Sequence, residues 1–247
     1  MREEFAGRTA MVTGGACRIG REIALKLGEM GVDVVVHYRS SARAAEELKR
    51  ELKGKGVEAW TLKATFGEEA DYSEIMSEVT ELSGGLDFLV NNASIFSEGG
   101  LEDLEFSDLR RNLAVNAWAP FALARAFTDE ASTGKIVNLL DTRIEGYDWN
   151  HLGYYFSKVL LGRMTKAMAI YEAPEFSVNG VAPGLIIPPP GRDEDYLEKR
   201  TDRVPLRKHG DKADVSKAVL YLLGADFVTG QVIYVDGGRN LLHELEG

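Results

Sequence analysis

Residues 8–41 read RTAMVTGGACRIGREIALKLGEMGVDVVVHYRSS. The short apolar run from Arg8 to Gly14 ends in glycine, as a buried strand does. GGACRIGREIALKLGEMG opens with glycines and passes into a helical pattern. VDVVVHY (32–38) is a second apolar run. Strand, glycine-rich turn, helix and strand set an order that the rest of the chain repeats.

Outward from this unit, Ser41 to Lys53 is amphipathic, with Ser40 and Ser41 as candidate caps. VEAWTLKA (57–64), LDFLVNNA (86–93), KIVNLLD (135–141), FSVNGVAPG (176–184) and GQVIYVDGG (230–238) read as further strands. Helical patterns separate them, at roughly 69–83, within roughly 103–131, from Tyr154 to about Glu172, and from Ala213 to Leu223. IIPPPGRDEDYLEKR (186–200) is Pro-rich and then charged, and reads as a mobile loop with a short helix. Most strands are continuous apolar runs, and they alternate with helices. That combination predicts a doubly wound parallel sheet covered on both faces. No repeat, low-complexity tract or linker divides the chain, so a single α/β domain over 1–247 is expected.

The chain has 247 residues, with 29 Lys+Arg against 39 Asp+Glu and a net charge of −10. Such a surface repels nucleic acid and anionic membranes, which leaves a small molecule as the expected partner. No run of about 18 apolar residues offers a membrane span. One Cys cannot form an internal disulfide, and no metal cluster is suggested. The charged start MREEFAGR is unlike a secretory signal, so a cytoplasmic location is expected.

In a doubly wound sheet, ligands bind at the carboxyl ends of the strands. The turn Thr13-Gly14-Gly15-Ala16-Cys17-Arg18-Ile19-Gly20 lies there. Its glycines permit close backbone approach, and the helix N-terminus favours a pyrophosphate. A purely structural turn would read the same way. An NAD site would carry Asp or Glu at the end of the second strand to hold the ribose hydroxyls. This chain has His37-Tyr38-Arg39-Ser40-Ser41 instead, and a guanidinium beside two hydroxyls suits a phosphate. NADPH is therefore expected over NADH.

Tyr154 and Lys158 stand four apart in a helical run and share one face. A phenol titrates near 10, and a neighbouring ammonium favours its phenolate. The pair is a candidate proton donor for a reduction. Unrelated helix side chains also produce this spacing by chance.

Taken together, the glycine turn, Asn91-Asn92-Ala93, Asn116, Tyr154/Lys158, Pro183-Gly184 and YVDGG (234–238) resemble the short-chain dehydrogenase/reductase family. The resemblance covers nearly the whole chain. It implies a Rossmann-type single domain, a nicotinamide cofactor and a homotetramer. It also implies that Tyr154 donates the proton and that Lys158 holds the nicotinamide ribose while lowering the Tyr pKa. Asn116 would hold a water in a proton relay, and Asn92 would lie near the cofactor.

Two positions depart from the family pattern. Arg18 replaces the middle glycine of the turn, and Asp141 takes the place of the usual catalytic Ser. Both departures, with NNASIF (91–96), His37-Tyr38 followed by Arg and Ser, and PGLIIPPPG (183–191), resemble the pteridine reductase-like branch. That resemblance implies phosphate contacts for Arg18, Arg39 and Ser40. It puts Ser94 near the pyrophosphate, with Phe96 stacking on a pterin opposite the nicotinamide. The Thr that often follows the PG motif is missing, so the backbone of Ile186 or Ile187 is the candidate carboxamide contact. The family's acidic residue after the third strand is replaced by Ala64-Thr65-Phe66, which leaves the adenine contact open.

The chemistry is coherent with this role for Asp141. A Ser hydroxyl suits a ketone oxygen. A carboxyl group suits a ring nitrogen, because it accepts from N–H or, once protonated, donates to N. Beside Tyr154 it would also oppose phenolate formation. A turn-forming Asp after a strand is the plainer alternative. Expected substrate residues are thus Phe96, Asp141 and Tyr154. Carbonyl reduction and non-catalytic NADPH sensing remain the competing functions. Cys17 and His151 are read as a loop residue and a surface residue, and Tyr147, Trp149 and Tyr155 as candidate pocket walls.

Overall fold

In the computed structural model the seven strands form one parallel sheet in the order β3-β2-β1-β4-β5-β6-β7. The structure describes residues 2–189, 191, 193 and 195–242. Parts of the 186–200 loop and residues 243–247 lie outside these residues. The strands are β1 (Thr9–Val12), β2 (Asp33–Tyr38), β3 (Ala59–Lys63), β4 (Phe88–Asn91), β5 (Gly134–Leu139), β6 (Phe176–Pro183) and β7 (Val232–Val235). The α-helices are α1 (Arg2–Phe5), α2 (Arg18–Glu29), α3 (Ala42–Gly54), α4 (Tyr72–Ser83), α5 (Phe106–Leu113), α6 (Ala119–Glu130), α7 (Leu152–Tyr171), α8 (Asp195–Glu198) and α9 (Lys212–Gly224).

Successive strand residues point to opposite faces, and both faces are covered. Ala10, Val12, Val34 and Val36 pack with Leu27, Leu48 and Val219 in one core. Met11, Val35, Leu89 and Ile136 pack with Met76, Leu123 and Phe127 in the other. This is why the strands read as continuous apolar runs. Each such side chain contributes about 1.5–3 kcal/mol when fully buried.

β1 pairs with β2 on one side and β4 on the other. Strand order reverses there, and the crevice that opens at the carboxyl ends is where such sheets bind ligands. Sequence and structure differ in two details. Ser41 occupies the N-cap of α3 but makes no side-chain capping bond. A π-helical turn, Ala114–Trp118, joins α5 to α6. No helix among the described residues is long and apolar enough to cross a membrane.

Candidate active site

A cavity of about 520 Å³ opens at the carboxyl ends of the strands. The β1–α2 turn gives it Gly14, Arg18 and Ile19, and the end of β2 gives it Tyr38, Arg39 and Ser40. Asn92, Ala93, Ser94 and Phe96 follow β4, Asp141 follows β5, Tyr154 and Lys158 come from α7, and Pro183, Gly184 and Ile186 come from the end of β6. Ala64, Phe66 and Ile187 line it too. Two expected residues do not line it, Gly20 and Asn116.

The turn is held from below. Thr13 Oγ1 accepts from the amides of Asn92 and Ala93, both at 2.9 Å. Asn92 Nδ2 donates to the carbonyls of Thr13 and Gly14. Gly14 has φ +60°, and a Cβ there would press on Ala93 Cα at 3.1 Å. Gly20 acts by packing rather than by contact, since a Cβ there would overlap Gly14 O and Asn92 Nδ2. Arg18, at the usual glycine position, keeps the left-handed backbone with φ +55°. Its guanidinium donates to Pro188 O at 2.7 Å, so it ties the turn to the loop after β6. Arg39 and Ser40 are exposed at the cavity rim. Arg39 makes no ion pair among the described residues. Exposed cations beside Ser40 and Ser41, with no carboxylate at the end of β2, fit the 2′-phosphate of NADP, and the open glycine turn fits a pyrophosphate.

Asp141 caps a 3₁₀ turn, Thr142–Glu145, through one oxygen and meets Tyr154 through the other. Oδ1 accepts from Arg143 N at 2.9 Å, and Oδ2 accepts from Tyr154 Oη at 3.0 Å. Turn former and site residue are therefore the same carboxylate. Burial, then the charge of Asp141 and its hydrogen bond, push the Tyr154 phenol well above its usual range, with Arg143 opposing. The net shift is a rise where the Tyr–Lys pairing alone predicts a fall, and Lys158 is not among its causes. Lys158 Nζ lies 5.8 Å from the Tyr154 ring centre and donates to Leu139 O at 2.6 Å. Burial pulls the Lys158 ammonium down to about 8, with Asp141 opposing.

Asn116 lies in the π turn, fully buried behind the cavity wall. Its Oδ1 accepts from Ile95 N at 2.8 Å, and its Nδ2 donates to Ile95 O and Ser157 Oγ, both at 3.0 Å. Ser157 Oγ in turn donates to Tyr154 O at 2.6 Å. The Asn116 side chain thus links the 94–96 segment to the Tyr154 helix, and its polar atoms are spent on protein partners. π turns recur at functional sites.

Phe96 sets its ring at right angles to Tyr154, with centroids 4.8 Å apart. One Phe96 face is already covered by His151 at 4.1 Å. His151 Nδ1 meets the buried Asp148 carboxylate at 3.0 Å, and Asp148 pairs with Arg143. The sequence gives no sign of this Arg143–Asp148–His151 chain, because it closes within an irregular segment that has no period. Tyr147 and Trp149 stack on each other and are 67% and 61% exposed, outside the cavity; they are not pocket walls. Tyr155 does not line the cavity either.

Residues 14–240 match the family model described as enoyl-(acyl carrier protein) reductase. The 3-oxoacyl-[acyl-carrier-protein] reductase FabG of Staphylococcus epidermidis is 32% identical over 241 residues, covering 94% of this chain and 98% of the relative. FolM alternative dihydrofolate reductase 1 from Brucella suis, solved in complex with NADP, superposes with a TM-score of 0.91 at 29% identity, covering 96% of each chain. The angucycline C-6 ketoreductase LanV, solved with bound NADP, superposes with a TM-score of 0.89 at 29% identity, covering 96% of this chain and 97% of the other.

Proposed function

The chain belongs to the short-chain dehydrogenase/reductase family, and from that premise we propose that it reduces a pteridine with NADPH. It is an oxidoreductase that uses NADP(H). The pteridine reading is carried by one observation, the carboxylate of Asp141 bonded to Tyr154 Oη where a hydroxyl is usual.

The bound cofactor supplies a hydride to a ring carbon. The chain supplies the proton to the adjacent ring nitrogen. Tyr154 stays a phenol at neutral pH, because burial and Asp141 both disfavour its anion. Its proton is held toward Asp141 Oδ2; Tyr154 would give it to the ring nitrogen that the arriving hydride makes basic, directly or through Asp141, and would recover a proton from solvent. Lys158, fixed by Leu139 O, would direct its remaining N–H groups to the nicotinamide ribose. Arg39, Ser40 and Tyr38 take the adenosine phosphate side, and Gly14, Ile19 and Ser94 take the pyrophosphate. Pro183, Gly184 and Ile186 take the carboxamide side. Arg18 would contact a phosphate only by giving up its bond to Pro188 O. Phe96 offers its free face to the pterin, and Asn116 positions it through Ile95.

The FolM likeness supports this reading. Carbonyl reduction is the second reading, supported by the 3-oxoacyl reductase and LanV likenesses. A homotetramer is proposed on the family resemblance, and the exposed apolar side chains of Phe106, Phe156 and Leu160 on α5 and α7 support an assembly.

Following NADPH loss with dihydrobiopterin, dihydrofolate and a panel of ketones tests the function. Turnover of a pterin well above that of any ketone is expected. Ketone turnover alone would favour the second reading, and tight NADPH binding without turnover would favour a sensor.

A further inference from the structure

Beneath the glycine turn lies a histidine that the cofactor reading does not use. His37 is the penultimate residue of β2 and is 2% exposed. Its Nδ1 lies 3.0 Å from Gly14 N, and its Nε2 lies 3.1 Å from Ala64 O. A backbone amide can only donate, and a carbonyl can only accept. Nδ1 is therefore bare and Nε2 carries the proton, so the two contacts fix one neutral tautomer. The His37 carbonyl repeats the link by accepting from Gly15 N at 3.0 Å. Phe66 covers the ring in parallel, 9° off, with centroids 4.2 Å apart. One imidazole thus joins the β1–α2 turn to the ends of β2 and β3. Gly14, His37, Ala64 and Phe66 all border the cavity.

We infer that His37 is a positioning residue for the cofactor: its Nδ1 lone pair holds the Gly14 amide, and through it the glycine turn, in the shape that receives the pyrophosphate. A residue there only for packing would need the ring's volume and not its lone pair. Gly14, at φ +60° and crowded by Ala93, cannot find another side-chain acceptor without moving the turn.

No carboxylate among the described residues bonds the ring. The titratable groups on the elements packed around it are Cys17 and Arg18 on the turn side, Tyr38 and Arg39 beyond it on β2, Lys63 on β3, and Tyr72 with the capping Asp71 at α4. Tyr72 Oη is bonded to Gly67, and Asp71 accepts from Ser73 and Glu74 amides. Burial pulls the ring's pKa down to about 4, with the Ala64 carbonyl opposing. Acid would put a hydrogen on Nδ1, facing the Gly14 N–H, and would break the hold.

Two substitutions separate the ring's two ends. His37→Asn keeps an acceptor near Nδ1 and loses Ala64, whereas His37→Gln reaches Ala64 and leaves the Gly14 amide bare. NADP+ affinity is measured by calorimetry at neutral pH, beside thermal unfolding of each variant. His37→Asn should bind within about threefold of wild type, and His37→Gln should bind about tenfold or more weakly, the cost of one lost acceptor. Equal weakening in both, or wild-type affinity in His37→Gln, would overturn the inference. Should the variants not fold, the ring nitrogens of 15N-histidine-labelled wild-type chain decide at neutral pH. With NADP+ bound, Nδ1 of His37 should keep the shift of a bare acceptor and Nε2 that of a protonated nitrogen, and the opposite tautomer would overturn the inference. A wild-type chain that does not bind NADP+ would instead remove the cofactor assignment.

Discussion

Tyr154 Oη donates to Asp141 Oδ2 at 3.0 Å, while the other oxygen of the same carboxylate accepts the Arg143 amide. One end of Asp141 is thus anchored to the backbone and the other is aimed at the phenol. Because the phenol rises rather than falls in pKa, it enters the reaction protonated. A phenol–carboxyl pair of this kind suits delivery of a proton to nitrogen.

Cofactor choice rests on Arg39. If Arg39 holds the 2′-phosphate, as proposed, Arg39→Asp places a carboxylate there and loses a charge-assisted contact worth about 1.5–3 kcal/mol. NADPH affinity should fall about tenfold to a hundredfold, with NADH changed little or improved. Titration of both reduced cofactors by fluorescence checks this. Equal losses would remove Arg39 from phosphate recognition.

Lys158 sets an alkaline limit. Its ammonium titrates near 8 in the folded chain, so the charge is present below that pH and lost above it. If that charge holds the ribose and phosphates, NADP+ affinity falls as pH rises through about 8, and Lys158→Met shows a weaker but level profile. Stability moves the other way. The unfolded chain keeps this proton up to about 10.5, so between about 8 and 10.5 the group makes folding more favourable as pH rises. Loss of binding in this window while the melting temperature holds or rises separates the two.

Phe96 is read as one face of a pterin sandwich. Phe96→Ala should raise KM for a dihydropterin about threefold to tenfold, the worth of an aromatic stack, with a smaller change in kcat. Steady-state kinetics in both parameters checks it. An unchanged KM would mean that the pterin does not touch this ring.

Asn116 is fully buried, and its amide bonds both Ile95 backbone groups and Ser157. Asn116→Ala leaves those groups unpaired and should cost about 2–4 kcal/mol of stability by denaturant unfolding. Asn116→Asp should cost at least as much, because it loses the donor to Ile95 O and Ser157 and sets a buried carboxylate against that carbonyl. A loss of activity in either variant without loss of stability would instead favour a direct relay role.

Much of the fold was legible because its cause is local. Val34, Val35 and Val36 read as a buried strand since both sheet faces are covered, and the glycines that end β1 mark the turn. The Tyr154–Lys158 pair was legible from helical spacing alone. What escaped depends on distant partners. Asn116 lies in a π turn whose side chain is claimed by Ile95 and Ser157, so its distance from the cavity cannot be read from its neighbours in the chain. The rise of the Tyr154 pKa needs its burial, which the Tyr–Lys spacing does not carry. His37 stood inside a quoted motif, yet its value lies in Gly14 and Ala64, 23 and 27 residues away.

The sharpest test replaces Asp141 by the hydroxyl found elsewhere in the family. With Asp141→Ser, kcat/KM should be measured for a dihydropterin and for a ketone, with NADPH affinity as control. The expected result is a fall of about a hundredfold or more for the pterin, the usual worth of a positioned proton donor, with ketone reduction unchanged or raised. Undiminished pterin turnover in Asp141→Ser, with NADPH bound as in wild type, would contradict a carboxylate acting on a ring nitrogen.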